Sequence, residues 1–119
     1  MYRVFYNDEC IAESELENGD PPMGCVSGLP IQSGTIQYFS ELLIKLGGTE
    51  SDGEYRLELN ELFRVVGSFG NALHYSGGQI MAYPELDEVL IDLVGIPYPE
   101  YAELFPGQVK AYENQFKNT

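Results

Sequence analysis

The side chains that most often perform nucleophilic or acid–base chemistry are few in this chain. His74 is the single histidine, and Cys10 and Cys25 are the two cysteines. A catalytic Cys–His pair needs a thiol within hydrogen-bond reach of the imidazole, and no spacing in the sequence predicts that approach. His74 lies between Leu73 and Tyr75 in a predicted strand, a position typical of a structural or surface histidine. These residues favour a binding protein over an enzyme.

Motifs for nucleophiles and phosphates are incomplete. The run Gly24-Cys25-Val26-Ser27-Gly28 places its serine one position too late for a nucleophile elbow, which requires Gly-x-Ser-x-Gly. The Gly47-Gly48 and Gly77-Gly78 pairs lack the Lys-Ser/Thr of a phosphate loop. The chain contains no Cys-x-x-Cys, which excludes a zinc ribbon or a thioredoxin-type site. We predict no cofactor.

Carboxylates are the other candidate groups. Glu85, Glu88 and Asp92 are spaced i, i+3 and i+7, and would share one face of a helix. A di-iron bundle also needs Glu-x-x-His partners, and neither 8–20 nor 50–61 has the ligand spacing of a calcium loop. We therefore predict no metal site. A line of acids on a helix is more often its solvated face.

The net charge is the most informative property of the sequence. Its 119 residues carry 19 acidic and 6 basic side chains, for a formal charge of −13. The acids concentrate in three stretches with few bases, 8–20, 50–61 and 85–103, all inside segments patterned for folding. A rigid anionic surface repels phosphates and anionic membranes and attracts basic proteins. We predict a basic protein partner, no direct nucleic-acid binding and no membrane association.

The elements that position these acids follow from periodicity and turn residues. Alternation predicts strands, whereas apolar residues at i, i+3 and i+7 predict helices. The N-terminal half is predicted to contain strand 2–6, strand 10–13, loop 14–23, short strand 24–28, helix 33–46, polar loop 49–53 and strand 55–59. The C-terminal half is predicted to contain a helix or strand over 62–69, a hairpin of 72–76 and 79–83 around Gly77-Gly78, helix 84–93, helical stretch 99–105 and a last helix from Pro106. This order predicts an α+β fold, with about three to five helices packed on an antiparallel sheet, in one domain spanning 1–119.

Candidate contact residues are the acids in ordered segments and the tyrosines near them. The predicted helix from Pro84 ranks first, because a helix would hold its acids rigidly, and the acidic loop 14–23 ranks second. Tyrosines flanked by Pro97 and Pro99 are candidate anchors, since tyrosine is enriched in interfaces. The set is Glu85, Asp87, Glu88, Asp92, Glu15, Glu17, Asp20, Tyr98 and Tyr101.

In size and acidity the chain resembles the inhibitors that neutralise basic toxins, of which bacterial immunity proteins against nuclease toxins are the familiar case. This resemblance is one of composition and implies an acidic surface that covers the partner's basic site. Three alternatives remain open: a nucleic-acid mimic acting on a defence or repair protein, a small enzyme or ligand-binding domain, and an accessory subunit. The longest apolar run is shorter than a signal-peptide core, which predicts a cytoplasmic protein. The oligomeric state is not predicted.

Overall fold

The computed structural model describes residues 1–31 and 36–117. Within these ranges the strands form two antiparallel sheets, accompanied by three α-helices. The strands are β1 (Tyr2–Tyr6), β2 (Glu9–Ser14), β3 (Asn18–Asp20), β4 (Cys25–Gly28), β5 (Thr49–Ser51), β6 (Glu54–Glu58), β7 (Phe63–Val66), β8 (Gly77–Tyr83) and β9 (Glu88–Val94). The helices are α1 (Ile36–Lys45), α2 (Glu100–Leu104) and α3 (Pro106–Lys117). The arrangement is α+β, as predicted, with two sheets where one was expected.

The smaller sheet has three strands in the order β2-β1-β7. The alternation that predicted β1 places Val4 in the buried row, where it pairs with Ala12 of β2 and Val65 of β7. All three side chains are buried. The sequence was compatible with either a helix or a strand in segment 62–69. The structure shows that this segment contains strand β7. Its β-branched Val65 and Val66 suit a strand.

The larger sheet has six strands in the order β3-β4-β9-β8-β6-β5. Its register aligns Leu57, Ile80 and Ile91 in one row across β6, β8 and β9. These three side chains are buried and belong to the same hydrophobic cluster as Val4 and Val65 of the smaller sheet. Both sheets therefore share one core. Because successive strand residues point to opposite faces, the residues between the buried ones lie on the other face of the larger sheet.

Helix α1 covers the core side of the larger sheet. Phe39 and Leu43 are buried and join the common cluster. The helix ends at Lys45, and Gly47 shortly beyond it has a φ of 100°, a conformation that glycine adopts readily. Ser33 and Thr35, whose hydroxyl groups suit the capping of a helix start, lie outside the described residues. Helices α2 and α3 occupy the predicted helical segments at the C-terminal end, and α3 packs against α2 and β3.

The predicted helix from Pro84 to Leu93 is wrong. Pro84–Leu86 form a single 3₁₀ turn, and the chain then reverses into β9, which pairs with β8 along its whole length. Asp87 adopts a left-handed φ of 51° at this reversal. The segment contains Val89 and Ile91, and Val94 follows it; all three are β-branched residues that favour a strand. Their tertiary pairing with β8 overrides the helical spacing of the leucines.

Two turn predictions also need correction. Gly77-Gly78 do not form the turn of a hairpin but begin β8, and residues 72–76 form no strand. The predicted loops 14–23 and 49–53 contain the short edge strands β3 and β5. The start of β8 and the edge strands β3 and β5 thus form by pairing with neighbouring strands, although their local sequences are typical of turns or loops.

Candidate functional site

The candidate site is the face of the larger sheet that points away from the core, which we call the open face. Strand register assigns residues to it, because antiparallel partners point to the same side. The open face comprises Thr49 and Ser51 of β5, Glu54, Arg56 and Glu58 of β6, Gly77, Gln79, Met81 and Tyr83 of β8, Glu88, Leu90, Asp92 and Val94 of β9, Cys25 and Ser27 of β4, and Asn18 and Asp20 of β3.

Five acids share the open face with a single base, Arg56. Glu54 and Glu58 are exposed on β6, and Glu88 is exposed on β9. Asp92 is half-buried in the middle of β9, and Asp20 lies beside Cys25 at the β3 edge. Like charges held on a rigid sheet produce a concentrated negative potential. The open face is therefore a rigid and strongly acidic surface.

The centre of the open face is less polar than its rim. Met81 and Leu90 are register partners on β8 and β9, and Met81 is only 7% exposed. The Tyr83 hydroxyl lies 3.1 Å from the Met81 sulfur. An apolar centre within a polar margin is the usual anatomy of a protein–protein interface.

A hollow of about 390 Å³ opens on this face beside the start of β8. Glu58, Gln79 and Asp92 line it on three neighbouring strands. The Gln79 side-chain amide donates to an Asp92 carboxylate oxygen at 3.5 Å. Two carboxylates therefore stand on either side of β8, with an amide group between them.

The structure places three of the predicted contact residues on the open face: Asp20, Glu88 and Asp92. Glu85 and Asp87 lie in the exposed turn next to Glu88. The four acids Glu85, Asp87, Glu88 and Asp92 therefore do not share the rigid helix that was predicted to hold them. Sequence reasoning missed Glu54 and Glu58 as site residues. The alternation of Glu58 with buried Leu57 and Leu59 was the available signal, because it marks a strand with one solvated face.

Glu15 and Glu17 have local partners instead. Glu15 lies 3.6 Å from the N-terminal ammonium. The Glu17 carboxylate accepts hydrogen bonds from the Leu29 amide at 3.2 Å, which ties the segment before β3 to the end of β4. Glu17 and Asp20 also line an open cleft of about 630 Å³ between β3 and α3. Asp20 is thus shared between this cleft and the open face.

The two predicted tyrosine anchors have different environments. Their rings stack with centroids 5.8 Å apart. Tyr98 is 55% exposed, whereas Tyr101 is fully buried. Burial, followed by the neighbouring Tyr98, Cys25 and Asp20, raises the pKa of Tyr101 to about 12. Because a buried ring cannot contact a partner, Tyr101 leaves the candidate contact set and Tyr98 stays in it.

The potential nucleophiles do not converge. The Cys10 thiol donates to the Ala12 carbonyl and the Cys25 thiol to the Met23 carbonyl. Burial raises the pKa of both thiols, and Asp92 and Asp20 raise that of Cys25 further. A raised pKa keeps a thiol protonated and weakens it as a nucleophile. His74 pairs through Nδ1 with the Glu100 carboxylate at 3.1 Å.

Residues 1–31 and 36–117 contain no group of three or more His, Cys, Asp or Glu side chains arranged to hold a metal ion. Over the same ranges, none of the helices has the length and apolar character needed to cross a membrane.

Comparison with protein-family models, with curated proteins and with solved structures gives no match in any of the three. The open face must therefore be interpreted from its own chemistry.

Proposed function

We propose that this chain is an acidic binding protein that covers a basic surface on a protein partner, as an immunity-type inhibitor does. The observation that carries the proposal is the composition of the open face, where Glu54, Glu58, Glu88, Asp92 and Asp20 accompany one arginine. Complementary charge accelerates association and selects the partner. A nuclease toxin is the kind of basic partner that such a surface fits.

The arrangement of the acids supports a protein partner over mimicry of a nucleic acid. Glu54 and Glu58 are four residues apart on β6, and Glu88 and Asp92 are four apart on β9. Four strand steps span about 13 Å, whereas a DNA strand carries one charge per roughly 3.4 Å of helix axis. These four acids are therefore spread over a patch of two strands rather than along a closely spaced line.

The surrounding residues support binding over catalysis. The two thiols have raised pKa values and donate to backbone carbonyls rather than to His74. Nucleophilic catalysis by a thiol needs an adjacent base. Among the described residues His74 pairs with Glu100 instead, so the alternative of an enzyme with a Cys–His pair has no support there.

Affinity capture from a lysate of the source organism, eluted with increasing salt, tests the proposal. We expect a basic protein that is held at near-equal stoichiometry and released by moderate salt. The partner's association rate is then measured with a charge-reversal variant, Glu54→Lys with Glu88→Lys. The matched control is Glu9→Lys with Glu103→Lys, because both of its positions are exposed and lie off the open face.

We expect association to slow by about tenfold or more in the open-face variant, since charge steering changes on-rates by that order. The control, with the same net charge, should change the rate much less. Equal slowing in both variants would mean that only net charge matters and would contradict the proposed surface. Failure to capture any basic protein would contradict the proposed function.

A further inference from the structure

We propose that the hollow beside β8 is a subsite for one arginine side chain of the basic partner. The inference rests on the proposed function and specifies which group of the partner enters the open face. It is carried by three features of the hollow: a missing side chain, two opposed carboxylates and an apolar wall. Each feature comes from a different strand position.

The missing side chain is that of Gly77. Gly77 is the register partner of Val94 and lines the hollow. A Cβ atom at Gly77 would have Val94 Cγ2 as its nearest neighbour, at 3.8 Å, which is an ordinary contact. Packing does not require glycine here, in contrast to Gly78, where a Cβ would lie 2.7 Å from a Leu93 methyl group. A side chain at this position would therefore extend into the hollow that Gly77 lines.

The opposed carboxylates are those of Glu58 and Asp92. They lie on the strands that flank β8, in the same register row as Gln79. Two strand spacings separate their backbones by roughly 9.6 Å, and the Gln79 amide lies between them, so a planar cation would lie over this row with a carboxylate on either side. Because the Gln79 amide donates to Asp92, its carbonyl oxygen is directed elsewhere and can accept a further hydrogen bond.

Arginine matches this set of acceptors better than lysine. A guanidinium has five N–H donors in one plane and pairs with carboxylates through two parallel hydrogen bonds, whereas an ammonium is a compact and strongly hydrated point charge. The 39% exposed Val94 provides an apolar wall for the methylene stem. The chain's own Arg56 lies in a neighbouring hollow, with Met81 and Tyr83, and so leaves this one available.

The test uses two short peptides, acetyl-Gly-Arg-Gly-amide and its lysine counterpart, titrated into the full chain at low ionic strength. Binding is followed by amide chemical shifts. We expect the largest shifts at Gly77, Gln79 and Asp92, and about threefold tighter binding of the arginine peptide, since the acceptor geometry suits a planar donor.

Three variants locate the binding. Gly77→Val fills the hollow and leaves the charge unchanged. If the valine variant does not fold, Gly77→Ala is used in its place. Glu58→Gln with Asp92→Asn removes the two carboxylates. Glu9→Gln with Glu103→Gln removes two charges elsewhere and serves as the control. We expect the first two to weaken arginine binding by about fivefold or more, which corresponds to about 1 kcal/mol, and the control to stay close to wild type.

Equal weakening by the control and by the carboxylate variant would overturn the inference, because binding would then follow net charge alone. Undiminished binding in the folded Gly77 variant would also overturn it. The captured partner separates this inference from the proposed function. If hollow variants bind that partner as tightly as wild type does, the subsite is wrong and the function stands. If no partner is captured but the peptide results are as expected, the subsite stands without the function.

Discussion

The Tyr101 hydroxyl donates a hydrogen bond of 2.7 Å to the carbonyl oxygen of Cys25, which lies 76 residues earlier in the chain. This bond joins α2 to β4, whose Cys25 and Ser27 side chains form part of the open face. The Tyr101 ring also stacks against Tyr98 and packs at 5.3 Å from Phe105. A buried tyrosine thus holds the C-terminal helices against the strand that borders the acidic surface.

Replacing Tyr101 with phenylalanine should therefore destabilise the fold while preserving its ring contacts. The variant leaves the Cys25 carbonyl without its donor, and a lost buried hydrogen bond costs about 1 to 2 kcal/mol. Urea unfolding at neutral pH measures the change in the free energy of unfolding. Tyr98→Phe is the control, because Tyr98 is exposed, and should change it by much less. An unaltered midpoint for Tyr101→Phe would show that the hydrogen bond contributes nothing.

The same hydroxyl should make stability depend on alkaline pH. The folded pKa of Tyr101 is raised to about 12, whereas an unfolded tyrosine has a pKa of about 10. Between these values the unfolded chain loses the proton first, so deprotonation favours unfolding. We expect the free energy of unfolding to fall as pH rises from 10 towards 12.

The comparison with Tyr101→Phe isolates this effect, because Tyr2 and Tyr75 also have pKa values raised by burial and contribute slopes of their own. Urea unfolding across that pH range should give a shallower decline for the variant than for wild type. Parallel curves for the two proteins would contradict the assignment of the shift to Tyr101.

Alanine substitutions in β9 distinguish the observed strand from the predicted helix. Ile91 is fully buried, and Ile91→Ala should cost about 2 to 5 kcal/mol. Leu90 is half-buried on the open face, and Leu90→Ala should cost clearly less. A helix with the leucine spacing would bury Leu90 rather than Ile91 and reverse that order. Chemical denaturation of the two variants measures their free energies of unfolding and so determines which substitution costs more.

Cys25 should react slowly with alkylating reagents at neutral pH. Burial is the main cause of its raised pKa, and Asp92 and Asp20 add to it by disfavouring a second negative charge. In a Cys10→Ser background, the rate of iodoacetamide modification should have its midpoint above the usual thiol pKa. Asp92→Asn should move that midpoint to lower pH by part of the shift, since burial remains. An unchanged midpoint would place Asp92 too far away to influence the thiol.

Local sequence was sufficient where one periodicity dominates. Alternation predicted β1 and the solvated side of β6, and the glycine pair at 47 and 48 marked the end of α1. Segment 84–93 was predicted as a helix, because Leu86, Val89, Leu90 and Leu93 fit a helical face, but Val89, Ile91 and Leu93 of the same segment also fit a strand. Pairing with β8 selects the strand, and the residues of the segment alone do not indicate that pairing.

The sequence by itself determined the excess of acids, their confinement to ordered segments and the scarcity of catalytic side chains, since these are properties of composition and local pattern. Only the tertiary structure decided which acids act together. Glu58 and Asp92 are 34 residues apart in the chain and lie on either side of β8 in one register row, because strand order and register, which are non-local, align them. The hollow between them likewise depends on Gly77 pointing to the open face, which the register of β8 and β9 determines.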